Sequence, residues 1–124
     1  MRKILIVEDV EYNRDLLVQL LEEEYEVVTA ADGAAGIEAA ARDRPDVILM
    51  DLSLPGIDGG EATRRLKARP ETEAIPVIAL TAHAMQGDEE RARSCGCDDY
   101  LPKPLDEEQL FAKLTRLLAP GGSS

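Results

Sequence analysis

The chain has 124 residues, 44% hydrophobic and 31% charged, with 25 acidic side chains against 14 basic ones and a net charge of −11. That size suits one domain with a core of its own, and no apolar run approaches the ~20 residues of a membrane span. The negative charge disfavours direct binding to nucleic acid or an anionic membrane and favours a basic partner surface.

Strand-like and helix-like segments alternate along the chain. Lys3–Val7 is almost wholly apolar and runs straight into Glu8-Asp9. With only four apolar residues after Met-Arg-Lys, this start is too short for a signal peptide, so a cytoplasmic location is expected. Leu16, Leu17, Leu20 and Leu21 form a helical stripe. Glu26–Ala30 is a more mixed strand, expected at a sheet edge. Ala34, Ile37, Ala40 and Ala41 mark a second helix whose small residues permit close packing. Asp46–Met50 is the third strand and delivers Asp51 at its end. Asp58-Gly-Gly-Glu61 carries the signature of a helix cap and opens the third helix. Pro76–Leu80 is the fourth strand, ending in Thr81-Ala82, and a fourth helix starts near Met85. A weaker strand, Asp98–Leu101, leads into Pro102-Lys103-Pro104. Asp106-Glu-Glu-Gln109 is a second cap, and Leu110, Phe111, Leu114, Leu117 and Leu118 stripe the last helix. Gly33, Gly56, Gly59, Gly60 and Gly96 are expected in turns. One domain over residues 1–119 and a disordered tail over 120–124 are expected. Cys95 and Cys97 are too few for a zinc site and too close for an unstrained disulfide, so reduced thiols are expected.

Strands that are apolar at nearly every position belong to a parallel sheet covered on both faces. Five of them alternating with five helices predict an α/β fold. For this length that is the flavodoxin-like three-layer sandwich with strand order 2-1-3-4-5. Ligands in such sheets bind at the carboxyl ends of the strands, near the switch point between strands one and three. Those two strands end in Glu8-Asp9 and Asp51, while strands four and five add Thr81 and Lys103.

Taken singly these residues have ordinary readings: a turn aspartate, helix caps, a solvated loop lysine. Their coincidence on one rim points to phosphoryl transfer. Asp51 can act as a nucleophile and form an acyl phosphate. Carboxylates ~4 Å apart repel by about 4 kcal/mol per pair at an effective dielectric of ~20, which a hard divalent cation offsets. Lys103 can pair with a phosphoryl oxygen and Thr81 can donate a hydroxyl to another.

The motifs ILIVED, VILMDLSLPGIDG, VIALTAHA and DDYLPKP, in that order, resemble those of the CheY-like receiver domains of two-component response regulators. The resemblance runs from Lys3 to about Leu118. It implies a phosphoacceptor at Asp51, with Mg²⁺ (or Mn²⁺) held by Glu8, Asp9, Asp51 and the backbone carbonyl of Ser53. It further implies a switch hydroxyl at Thr81, a lysine at Lys103, a phosphate contact through the backbone of Ala82, and a switch aromatic at Tyr100. Lys103-Pro104 matches a peptide that is usually cis in the family. The side chains of Ser53 and His83 would tune the lifetime of the phosphorylated state. The implied protein is a phosphoacceptor switch rather than an enzyme acting on other substrates. Its implied partners are a sensor histidine kinase or histidine phosphotransfer protein and a downstream protein. The downstream target would meet the face of the fourth helix, fifth strand and fifth helix, around Met85–Arg93, Asp99–Leu101 and Gln109–Lys113. The stretch from Leu80 to Pro104 looks like single-domain regulators of the DivK type and receivers of hybrid sensor kinases. GCDDYLPKPLDEEQL also resembles receivers joined to DNA-binding domains. An excised receiver is therefore the alternative reading. Val10 stands where DivK-like and hybrid receivers often have Asn.

Two other classes conflict with the residues. A haloacid-dehalogenase-type phosphohydrolase needs a second Asp two positions after the nucleophile, where this chain has Ser53. A flavodoxin-like electron carrier needs hydroxyl and amide donors after strand one, where Glu8-Asp9-Val10-Glu11 would repel a flavin phosphate.

Overall fold

The computed structural model describes residues 2–82 and 87–118. Its elements are β1 (Lys3–Val7), α1 (Glu11–Leu21), β2 (Glu26–Ala30), α2 (Gly33–Asp43), β3 (Val47–Asp51), α3 (Gly59–Lys67), β4 (Val77–Thr81), α4 (Asp88–Cys95), β5 (Asp99–Pro102) and α5 (Glu107–Leu118). The strands pair in parallel in the order β2-β1-β3-β4-β5, the order expected from the sequence, with β2 at an edge.

Alternation along each central strand divides the core into two layers. Ile4, Ile6, Leu49, Ile78 and Leu80 face α1 and α5, where Leu17, Leu21, Leu110, Leu114 and Leu118 cover them. Leu5, Val7, Ile48 and Met50 face the opposite way, onto Ile37 and Ala40 of α2 and Ala62 and Leu66 of α3. Each fully buried Leu or Ile contributes about 1.5–3 kcal/mol, so a strand buried on both faces holds the sheet centre firmly.

Three strands, β3, β4 and β5, start one residue later than expected from the sequence, at Val47, Val77 and Asp99. The residues before them serve at the strand entrance instead. The Asp46 carboxylate accepts the Lys3 N–H (2.7 Å), and the Asp98 carboxylate accepts the Val77 N–H (2.8 Å). As a result Asp51 and Thr81 lie inside β3 and β4, at their last positions.

The helix stripes also need correction. In α1 only Leu17 and Leu21 are buried; Leu20 is half-buried and Leu16 is 47% exposed. Ala34 of α2 is exposed, and Gly36, Ile37 and Ala40 make the inward contacts instead. Gly56 and Gly96 do lie in turns, with φ of 71° and 98°. Gly33, Gly59 and Gly60, however, lie at helix starts, where neighbours leave no room for a side chain. A Cβ on Gly59 would sit 2.1 Å from the Asp51 carbonyl oxygen. At the start of α3, Asp58 Oδ1 accepts the Glu61 N–H (2.9 Å), but Glu61 turns to Arg64 and Arg65 rather than completing a capping box. Asp106 Oδ1 likewise accepts the N–H groups of Glu108 and Gln109 (2.9 and 3.4 Å). Cys95 and Cys97 are free thiols. Among the described residues no helix is long and apolar enough to cross a membrane.

Candidate functional site

Backbone pairing continues past the strand ends and builds one rim. The Glu8 N–H donates to Ala30 (3.1 Å), that of Leu52 to Leu80 (3.1 Å), and that of Lys103 to Thr81 (2.7 Å). Glu8, Asp51, Thr81 and Lys103 are thereby fixed side by side at the carboxyl edge of the sheet. Glu8 and Asp51 are 1% and 2% exposed, an unusual degree of burial for carboxylates and one that requires partners.

The partners are present. Lys103 Nζ bridges Asp51 Oδ2 (3.1 Å) and Glu8 Oε1 (3.2 Å). The other Asp51 oxygen accepts the Ser53 N–H at 2.8 Å. Glu8 Oε2 accepts the Val10 N–H (3.1 Å), and Arg14 on α1 donates to the Glu8 carbonyl (3.0 Å). Burial pushes the Glu8 carboxyl above its ordinary range; Asp51 adds to that rise, while the Val10 N–H and Lys103 oppose it. For Lys103, burial works against the charge, but the hydrogen bond and field of Asp51, helped by Glu8, outweigh it and raise the ammonium. Lys103-Pro104 is cis.

Glu8, Asp9 and Asp51 each offer a carboxylate oxygen, and these atoms lie within 4.8 Å of one another. Glu8 and Asp51 are buried, while Asp9 is exposed at the mouth. An all-oxygen trio open on one side fits a hard, partly hydrated cation such as Mg²⁺ or Mn²⁺ and lacks the thiolate or imidazole ligands of a zinc site.

The remaining expected residues are placed less uniformly. Thr81 is fully buried, its hydroxyl donating to the Leu101 carbonyl at 3.5 Å, the outer edge of hydrogen-bond distance. Ser53 and Ala82 are exposed on the rim. Tyr100 packs on the small cluster of Leu52, Ala79 and Ala92, and its hydroxyl donates to Glu89 Oε1 of α4 (3.0 Å) rather than to any rim residue. His83 and Met85 lie outside the described residues.

Two features are all but unmarked in the sequence. Arg91 of α4 reaches the Leu52 carbonyl (3.2 Å), next to Asp51, and pairs with Asp58 (3.3 Å). An arginine in a helix rich in charges gives no sign of such a role. The second is a groove of about 620 Å³ beside the rim, walled by Asn13, Leu16, Leu20, Pro104 and Leu105 and reaching Glu8 and Lys103. The surplus leucines of the α1 stripe were its only trace.

The sequence matches the response regulator receiver domain over residues 4–115. The chain belongs to that family. It is 45% identical over 116 residues to the response regulator PleD of Caulobacter vibrioides, a match covering 93% of this chain and 26% of PleD; the chain thus spans about a quarter of that relative's length. The response regulator DivK of Brucella anthropi is 46% identical over 105 residues, covering 84% of this chain and 85% of DivK. Among solved structures, the receiver domain of the sensor histidine kinase PA1611 from Pseudomonas aeruginosa superposes with a TM-score of 0.89 at 40% identity. That match covers 96% of this chain and 98% of the other, which has a magnesium ion coordinated in its active site cleft. The receiver is therefore a component of two-component signalling, where such domains are phosphoacceptor switches and interact with histidine kinases or phosphotransfer proteins.

Proposed function

We propose that this receiver accepts a phosphoryl group on Asp51 from the phosphohistidine of a kinase or phosphotransfer protein and signals through the α4-β5-α5 face. Asp51 carries this reading: a buried carboxylate at the end of a central strand, oriented through both oxygens and flanked by two further acids and an ammonium. An Asp51 oxygen attacks phosphorus in line, the P–N bond to the donor imidazole breaks, and the imidazole leaves with the electron pair. Glu8, Asp9, Asp51 and the Ser53 carbonyl would hold Mg²⁺, which when bound neutralises charge on the transferring group.

Lys103 then exchanges one carboxylate oxygen for a phosphoryl oxygen, and the Ala82 backbone contacts another. Thr81 gives up little by turning toward the phosphate, since its present acceptor is distant. Tyr100 follows into the space Thr81 leaves. Ser53 and His83 flank the path of attacking water and set the lifetime of the acyl phosphate. Phosphorylation biases a pre-existing equilibrium rather than creating a new state.

The groove beside the rim suits the donor protein. It is apolar, opens next to Asp51's partners Glu8 and Lys103, and includes the exposed side chain of Leu16. A helix carrying phosphohistidine could bury its apolar face there while presenting phosphorus to Asp51.

The test is intact mass after incubation with acetyl phosphate or phosphoramidate. The expected result is one added phosphoryl group that needs Mg²⁺ and is lost in Asp51→Asn. An unmodified parent protein that also fails to bind beryllofluoride would overturn the reading.

A further inference from the structure

Tyr100 is enclosed by charges from three elements. Its hydroxyl donates to Glu89 Oε1 (3.0 Å), and Glu89's other oxygen is held by Arg93 one turn on (2.6 Å). Lys113 of α5 stands over the ring, 5.8 Å from its centroid. The Tyr100 N–H donates to Asp99 Oδ1 (2.8 Å), and the Asp99 carboxylate is itself bound by Lys113 and Arg116. Among the described residues, the contact that fixes the ring's polar end is the hydrogen bond to Glu89. Arg93 leaves that carboxylate little freedom to turn away.

We propose that Glu89 is a positioning residue that latches Tyr100 outward in the unphosphorylated protein, so that phosphorylation at Asp51 works against this single charge-assisted hydrogen bond. The proposal rests on the switch described above and adds the element that sets its resting bias. α4 is suited to the task because its two flanks meet the two ends of the switch. Arg91 touches the carbonyl next to Asp51, while Glu89 touches Tyr100. The Tyr100 hydroxyl is also raised above its ordinary range, first by the Glu89 hydrogen bond and then by its charge. Removing an acceptor of this kind at a partly exposed site is expected to shift the outward-to-inward ratio about tenfold.

The experiment is ¹⁹F NMR of protein labelled with 3-fluorotyrosine. There are three tyrosines, and the Tyr100 resonance is assigned with Tyr100→Phe. Spectra of the parent, Glu89→Ala, Glu89→Gln and Glu90→Ala are compared with and without Mg²⁺ and beryllofluoride. In Glu89→Ala without beryllofluoride, the Tyr100 resonance should move toward its beryllofluoride-saturated position, and beryllofluoride should bind about tenfold tighter. Glu89→Gln, whose amide oxygen can still accept but carries no charge, should fall between the parent and Glu89→Ala, while Glu90→Ala on the same helix should stay near the parent. A Glu89→Ala protein identical to the parent overturns the latch. So does a Glu90→Ala protein that moves as far, which would mean general loosening of α4. If beryllofluoride binds but the parent's Tyr100 does not respond, the latch falls while Asp51 keeps its role. If beryllofluoride does not bind at all, the functional reading falls with it.

Discussion

Gly59 controls how closely α3 approaches Asp51. Any side chain there would strike the Asp51 carbonyl, so Gly59→Ala forces the helix start and the end of β3 apart. We expect a loss of about 1–3 kcal/mol in stability, read from the urea midpoint, together with weakened Mg²⁺ binding. Cys97 illustrates the opposite case, a residue whose chemistry the fold suppresses. Burial pushes its thiol up to about 11, while a weak bond to Thr63 opposes the rise. Native protein at pH 7.5 should therefore resist iodoacetamide at Cys97, with alkylation appearing on denaturation, as read by peptide mass. The rim residues were legible in the sequence because each is a polar residue ending an apolar run. The roles of Arg14 and Arg91 were not, because both act by donating to backbone carbonyls, and no residue pattern marks an acceptor of that kind.

At the scale of elements, β5 is tied to α5 through Asp99. Burial opposes its charge, but hydrogen bonds from Lys113 and from the Tyr100 N–H, with the fields of Lys113 and Arg116, hold the carboxyl below its ordinary range. A depressed carboxyl contributes stability that is complete above its unfolded value of about 3.9 and is lost as pH falls through the folded value. Asp99→Asn should cost about 1–3 kcal/mol at pH 7, with the gap to the parent closing below pH 4, measured by urea unfolding at both pH values. The sequence located every strand and the faces of α5, since strict apolar runs and a full heptad-like stripe leave little choice. It misplaced three strand starts by one residue; at two of them Asp46 and Asp98 accept neighbouring-strand N–H groups with their side chains. It also over-assigned α1 to the core, because apolar spacing alone does not say which leucines of a wide stripe meet a groove instead of the sheet.

For the whole molecule, metal and stability are coupled through Glu8. Its carboxyl is raised, so in metal-free protein the ionised form is disfavoured, and stability declines as pH rises from the unfolded toward the folded value. Held as proposed, Mg²⁺ would offset that cost. At 100 times its dissociation constant it should add about 2.7 kcal/mol, seen as a higher Tm that chelation reverses. Glu8→Gln should be more stable than the parent without Mg²⁺ at pH 7 and should lose most of the Mg²⁺ response. Equal stability of the two proteins without metal would contradict this account.

The Lys103 ammonium bridges groups 52 and 95 positions away in the chain. Its backbone, moreover, is hung on the fourth strand by the bond to Thr81. The proposed acceptor centre is therefore complete only once the fifth strand has docked against the fourth. A chain still emerging from the ribosome, or clipped before residue 103, has the aspartate but not the ammonium that pairs with it. On the proposed role of Asp51, chemical competence would thus certify complete folding, and a kinase would spend no phosphate on unfinished copies.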